Sequence, residues 1–175
     1  MTILSHEPQI LQATTVETEF GIITICWSDI GLCRVAFGAM SDPAHAGSTV
    51  TPADSPPLNH DQLDLCRRIR RLLRGLPEDL TRVPLDLSGR TPFQRDVLAA
   101  CQSIPWGETC SYAELATAAG RPGAARAVGN VMRSNATPLV VPCHRVVCQS
   151  GSLGGFSAPG GVGLKRRLLQ IEQRE

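Results

Sequence analysis

A chain of 175 residues, 42% of them hydrophobic, can bury one sizeable core or two smaller ones. Its seven cysteines are an odd number with no C-x-x-C pair, which argues against a disulfide framework and against zinc knuckles; no apolar stretch is long enough to cross a membrane. The net charge of +1 hides an asymmetry: residues 1–89 carry seven Arg against eleven acids, and residues 90–175 carry ten Arg or Lys against five.

A basic second half is an electrostatic footprint for nucleic acid, and equally an ordinary solvated surface. Met1 to Glu7 shows no basic region followed by an apolar one, so no signal peptide is expected and the cytoplasm is the expected compartment. Leu11–Val16, Gly21–Cys26 and Leu32–Phe37 read as strands, broken at Glu19-Phe20-Gly21 and Asp29-Ile30-Gly31. Gly38 to Asn59, with four prolines, reads as a long surface loop. Asp61 to Leu76 has helical spacing, with Leu65, Ile69, Leu72, Leu73 and Leu76 on one face and an arginine cluster opposite. That cluster could touch phosphate, but a solvated face near the acids of its own half is the nearer reading. Val83–Leu87 is expected as a short strand, and Ser88-Gly89-Arg90 as a boundary between domains 1–89 and 90–175.

The second half is well punctuated. Thr91 as N-cap and Pro92 as first helical residue open a helix that ends near Ser103. Ser111 with Glu114 makes a capping box for a helix to Ala119; Gly120 stops it and Pro122-Gly123 turns the chain into a third helix, Ala124 to Ser134. Two short helices around a Gly-containing turn are the helix-turn-helix pattern. The third helix is thin, with Ala and Gly at many positions and Arg126 and Arg133 projecting. It could approach a groove closely or simply pack against a neighbouring helix.

Pro142-Cys143-His144-Arg145 then stands between the apolar runs Leu139–Val141 and Val146-Val147. A thiol is nucleophilic as thiolate, and adjacent cations favour that form. These residues, with Ser111-Tyr112, Glu114-Leu115-Ala116, Ala124 to Gly129, Asn135, Gly154-Gly155-Phe156-Ser157, Lys165, Leu168-Leu169 and Glu172, resemble the O6-alkylguanine-DNA alkyltransferases, the methylated-DNA–protein-cysteine S-methyltransferases. The resemblance covers roughly residues 90–173 closely, and residues 10–89 more loosely. It implies an α/β N-terminal domain of ribonuclease-H-like shape and a mainly α C-terminal winged helix-turn-helix domain. It also implies direct DNA repair: an O6-methylguanine is turned out of duplex DNA and its alkyl group moves irreversibly to a cysteine, with repair of O4-methylthymine left open.

By the same resemblance Cys143 is the acceptor, His144 its base through a bridging water, and Glu172 the acid that orients the imidazole. Tyr112 helps rotate the nucleotide, Arg126 fills the vacated place, and Asn135 ties the recognition helix to the cysteine loop; as a helix stop, Asn135 also suits a left-handed conformation. Arg121, Gln149 and Ser150 fall where the family touches DNA backbone, and Val147, Phe156 and Ser157 where it reads the base. Arg145 is read as structural. No cofactor is implied. The zinc site of some relatives is not recognisable, since Cys26, Cys33 and His60 make no matching set, and no metal is expected. The implied partner is alkylated double-stranded DNA, bound by a chain that is a monomer in solution, with cooperative binding on DNA left open. The loop 157–163 is about two residues longer than in short members, and Phe156 replaces a tyrosine of others, so the range of alkyl groups is open. A lesion-binding relative with an inert thiol, a transcriptional regulator and a cysteine hydrolase are the rival readings.

Overall fold

Three strands form an antiparallel meander, β1 (Gln12–Thr18), β2 (Gly21–Trp27) and β3 (Leu32–Phe37), in the computed structural model, which describes residues 8–39 and 51–173. The chain start and half of the expected long loop, residues 40–50, lie outside the described residues. Register aligns Val16 with Ile23 and Phe37, and Thr14 with Ile25 and Val35. Alternation then sends Val16, Ile23, Ile25, Val35 and Phe37 to one face, where they bury against α1 (His60–Leu72) through Leu65, Ile69 and Leu72.

Helix α1 opens on an Asn59–Gln62 capping box and stops four residues before the expected Leu76. The backbone closes there, with Gly75 N–H donating to Leu72 O and Leu76 N–H to Arg71 O, and Gly75 takes a φ of +82° that glycine alone adopts freely. Leu76 is consequently 43% exposed and not on the core face. The arginine face pairs with its own half, Arg67 with Asp64 and Arg68 and Arg71 with Glu78. The expected strand at Val83–Leu87 reduces to one parallel bridge, Leu32 with Leu85. Pro84 has no N–H to extend a ladder; its carbonyl accepts from Leu32 N and Asp86 N donates to Leu32 O.

Helix α2 (Pro92–Gln102) has the Thr91 cap and α3 (Tyr112–Ala118) the Ser111–Glu114 box, as the sequence predicts. Arg121 N–H donates to Ala116 O across the turn into α4 (Ala125–Arg133). Val97, Leu98, Cys101, Leu115, Val128, Val131 and Met132 make a second core among these helices. The small-residue face of α4 is turned away from it: a Cβ on Gly129 would meet the Tyr112 ring at 3.9 Å. Two-residue strands β4 (Cys110–Ser111) and β5 (Val146–Val147) pair in parallel and tie the start of α3 to the cysteine segment. Finally α5 (Gly161–Glu172) runs back, and its Leu168 and Ile171, with Leu139 and Val140, complete the core of the three-stranded sheet. Residues from both halves of the sequence therefore share that core, and the cysteine segment is gripped between the two cores.

Candidate active site

Cys143–Arg145 forms a single 3-10 turn, not a strand. With about three residues per turn, adjacent side chains diverge by roughly 120° instead of pointing oppositely. Cys143 N–H donates to Val141 O and Arg145 N–H to Pro142 O, both at 2.8 Å. Just upstream, buried Leu139 holds a φ of +74°, a strained conformation for a branched side chain that costs on the order of 1–3 kcal/mol. The packing of Leu139 in the sheet core offsets it. Asn135 pins the same segment from outside: its Nδ2 donates to Val141 O at 2.9 Å, and its Oδ1 accepts from Thr137 N at 3.0 Å. Asn135 is not left-handed, because Ser134 closes α4 and Leu139 makes the sharp turn instead. Its contribution is the side-chain amide.

Behind the cysteine, one carboxylate gathers three partners. Glu172 Oε1 lies 2.8 Å from His144 Nε2; Arg145 Nε donates to Oε2 at 3.0 Å and Nη2 to Oε1 at 3.0 Å; Gly107 N–H donates to Oε2 at 3.3 Å. Arg145 Nη1 also donates to Ile104 O at 2.6 Å, and its guanidinium lies 5.8 Å from the Trp106 ring centre. Burial pushes the Glu172 carboxyl up, but its bonds to His144 and Arg145 outweigh that and hold it below the ordinary range. Burial holds His144 below its ordinary value in spite of Glu172, so the resting imidazole is neutral. Its Nδ1 is the buried side-chain atom left without a hydrogen-bond partner among the described residues. With Nε2 facing a carboxylate, the proton sits on Nε2 and Nδ1 is a free acceptor.

The cysteine's electrostatics differ from the sequence expectation. Burial pushes the Cys143 thiol up; a hydrogen bond from Asn135, the Lys165 charge and backbone N–H groups pull it down without cancelling the burial. Arg145, adjacent in sequence, is fully engaged with Glu172 and does not serve the sulfur. Lys165 does. It is the chain's one lysine, wholly buried in α5, with Nζ donating to Val146 O at 2.5 Å. The resting group is a thiol beside a neutral base. Sequence reasoning assigned no role to Lys165, Gly107 or Trp106, and saw Arg145 only as structural. A lone lysine inside an apolar helical stripe was the signal available for Lys165; Gly107 acts through its backbone and leaves none.

In front of the cysteine opens a cleft of about 710 Å³. Tyr112, Arg126, Cys143, Gln149, Phe156 and Ser157 line it, six of the residues singled out in the sequence. Tyr112 stands at the first turn of α3, and a Cβ on Gly154 would come within 3.2 Å of its hydroxyl, so the glycine gives the phenol its room. Asn135, His144 and Glu172 lie behind the cleft. Val147 is half-buried in β5, paired with Ser111, and does not line the cleft. Arg121 is exposed at the α3–α4 turn with its guanidinium on Gly120 O, and Ser150 is exposed beside Ser152, both outside the cleft. The described residues contain no cluster of His, Cys, Asp and Glu that could hold a metal, and no helix among them is long and apolar enough to cross a membrane.

A buried thiol, a histidine with a free acceptor nitrogen, an anchored carboxylate and an open cleft are the parts of a cysteine transferase. The comparisons agree on which one. The family model for the DNA-binding domain of 6-O-methylguanine DNA methyltransferase matches residues 92–174. The methylated-DNA–protein-cysteine methyltransferase of Mycolicibacterium paratuberculosis is 36% identical over 167 residues, 94% of this chain and 93% of that one. That of Mycobacterium bovis is 50% identical over 91 residues, 52% of this chain and 53% of that one. The crystal structure of Mycobacterium tuberculosis OGT in complex with DNA superposes with a TM-score of 0.75 at 33% identity, covering 93% of this chain and 92% of that one. With likeness running through the sheet as well as the cysteine segment, this chain belongs to the methylated-DNA–protein-cysteine methyltransferase family.

Proposed function

We propose that this protein repairs alkylated DNA directly, moving the alkyl group of O6-methylguanine in duplex DNA to Cys143 and ending its activity in doing so. The observation that carries the reading is the arrangement of Cys143 and His144 in one turn, at the floor of an open cleft and backed by a Glu172 that Arg145 anchors. The lesion base, turned out of the stack, enters between Tyr112 and Phe156. Arg126, exposed at the start of α4, takes the place it leaves. The thin face of α4 lets the duplex come close, and α3–turn–α4 acts as a winged helix-turn-helix within a DNA-binding domain of residues 90–175. Residues 1–89, a sheet of ribonuclease-H-like order, support it. Arg121, Gln149 and Ser150 contact the phosphate backbone, while the Ser157 amide reads the base edge.

In the transfer step the S–H proton leaves for His144 Nδ1 through a water, as Sγ attacks the alkyl carbon. The S–C bond forms, the C–O6 bond breaks, and the proton ends on the guanine. Glu172 stabilises the imidazolium meanwhile, on the logic of a catalytic triad. Lys165 and Asn135 favour the forming thiolate, which the buried site otherwise disfavours. A thiolate is a poor leaving group from an unactivated thioether, so nothing in the site regenerates the thiol and no cofactor is used. The test is stoichiometry. Excess duplex bearing O6-methylguanine should lose one methyl group per protein and then no more. Tight lesion binding with no loss would favour a lesion-binding protein, and continued turnover would refute the acceptor role.

A further inference from the structure

The loop between α2 and β4 touches the network behind Cys143 at three points. Ile104 O accepts from Arg145 Nη1 at 2.6 Å, the Trp106 ring centre lies 5.8 Å from the Arg145 guanidinium, and Gly107 N–H donates to Glu172 Oε2 at 3.3 Å. Ile104 is buried in the helical core, while Pro105 and Gly107 are exposed. Trp106 is half-buried, packed against the sheet core, and stands at the boundary between the network and solvent. A cavity of about 410 Å³ opens beside it, lined by Arg145 as well as Leu80, Glu78 and Asp79. Glu78 already pairs with Arg68 and Arg71, and Asp79 accepts from Thr81 N–H, so Glu172 is the carboxylate that Arg145 holds. An aromatic face attracts a guanidinium, and the attraction strengthens as water is excluded.

We propose that Trp106 is a positioning residue for alkyl transfer: its ring holds Arg145 against Glu172 and keeps water from the pair, which leaves His144 free to take the cysteine proton. The inference rests on the alkyl-transfer reading above. Burial disfavours the imidazolium most, Glu172 favours it, and the charges of Arg145 in the same turn and Lys165 on α5 disfavour it. The Cys143 thiol precedes His144, and Cys101 of α2 and Cys110 of β4 are neighbouring thiols that burial pushes up and keeps neutral. Without the Trp106 ring, water enters from the cavity and the guanidinium turns toward it. His144 then feels less of the Arg145 charge, and Glu172 is less neutralised. Both changes favour the imidazolium, so His144 would already hold a proton at a pH where the native site leaves it empty.

The experiment measures single-turnover methyl transfer from a duplex bearing O6-methylguanine across pH. Beside it, NMR follows the ring titration of His144 in protein whose other histidines, His6, His45 and His60, are changed to Gln. Transfer falls on the acid side as His144 fills. Trp106→Leu, which keeps an apolar side chain without an aromatic face, should move that acid limb and the NMR midpoint upward together. The expected shift is about half a pH unit or more, the size of one partly buried cation–π contact. Trp106→Phe, which restores a face, should recover most of it. If thermal melts show that Trp106→Leu does not fold, fluorinated tryptophan in a Trp27→Phe background decides. Fluorine weakens the ring face while keeping its shape, and should shift both midpoints upward as well. A rate lowered equally at every pH, or midpoints that do not move, would overturn the inference and leave Trp106 as packing alone. A wild-type protein that transfers no methyl group would take down the repair reading, while the NMR midpoint would still report whether Trp106 acts on His144.

Discussion

Glu172→Gln is a one-atom change whose cost can be worked from the geometry. The carboxylate accepts from Arg145 Nε and Nη2 and faces His144 Nε2, with both ends of the network buried. A carboxamide offers one oxygen where two were used, and its NH2 points a donor at a guanidinium or an imidazole N–H. Arg145 is then a buried cation without a counter-charge, since Ile104 O and the Trp106 face supply only partial charge. Breaking a buried pair from one side costs about 3–5 kcal/mol. A domain of this size has roughly 5–15 kcal/mol in total, so the variant should fold marginally. Urea unfolding followed by tryptophan fluorescence measures this, with Trp106 beside Arg145 as a local reporter. The double variant Glu172→Gln/Arg145→Met should regain stability over Glu172→Gln alone, because the stranded charge is gone. It should still transfer methyl slowly, because His144 has lost its carboxylate. A cost below about 1 kcal/mol for Glu172→Gln, or simple additivity in the double variant, would show that Glu172 does not neutralise a buried Arg145.

Other outcomes follow from the same contacts. Gly154→Ala puts a methyl 3.2 Å from the Tyr112 hydroxyl and from Cys148 Sγ, at a φ of +68°, so transfer should fall as Tyr112 is displaced, while circular dichroism shows the helices intact. Arg126→Ala, at an exposed position, should leave the melting temperature unchanged and slow transfer from duplex far more than from single strands, where no gap must be filled. Acid should destabilise the protein in two stages. His144, buried neutral, binds its proton more readily unfolded, so stability should begin to fall below its ordinary value of about 6.5; Glu172, held below its ordinary 4.5, should add a second loss beneath that. Unfolding free energies between pH 8 and 4 would show stability falling as pH falls, and a rise would contradict both assignments.

Much of this was legible in the chain because the signals are local. Thr91, Ser111 with Glu114, and Gly120 mark helix ends by hydrogen bonds that span three or four residues, and each does what its residue type predicts. The strands were equally readable from their β-forming residues and the breaks between them, except where Pro84 cut an expected strand to one bridge. What the sequence did not disclose is non-local. Glu172 lies 27 residues from Arg145 and 65 from Gly107, and only the return of α5 brings them together. The thiol's electrostatics were misjudged for the same reason: adjacency put Arg145 next to Cys143, while the fold turned its charge to Glu172 and brought Lys165 near instead.

Everything above turns on Cys143 itself receiving the alkyl group. Incubation with a duplex containing O6-methylguanine, followed by peptide mass measurement, tests it without intermediaries. The peptide carrying Cys143 should gain one methylene, equal in amount to the methyl lost from DNA, and none should appear with Cys143→Ala. Demethylated DNA with an unmodified Cys143, or the added mass on Cys148 instead, would contradict it.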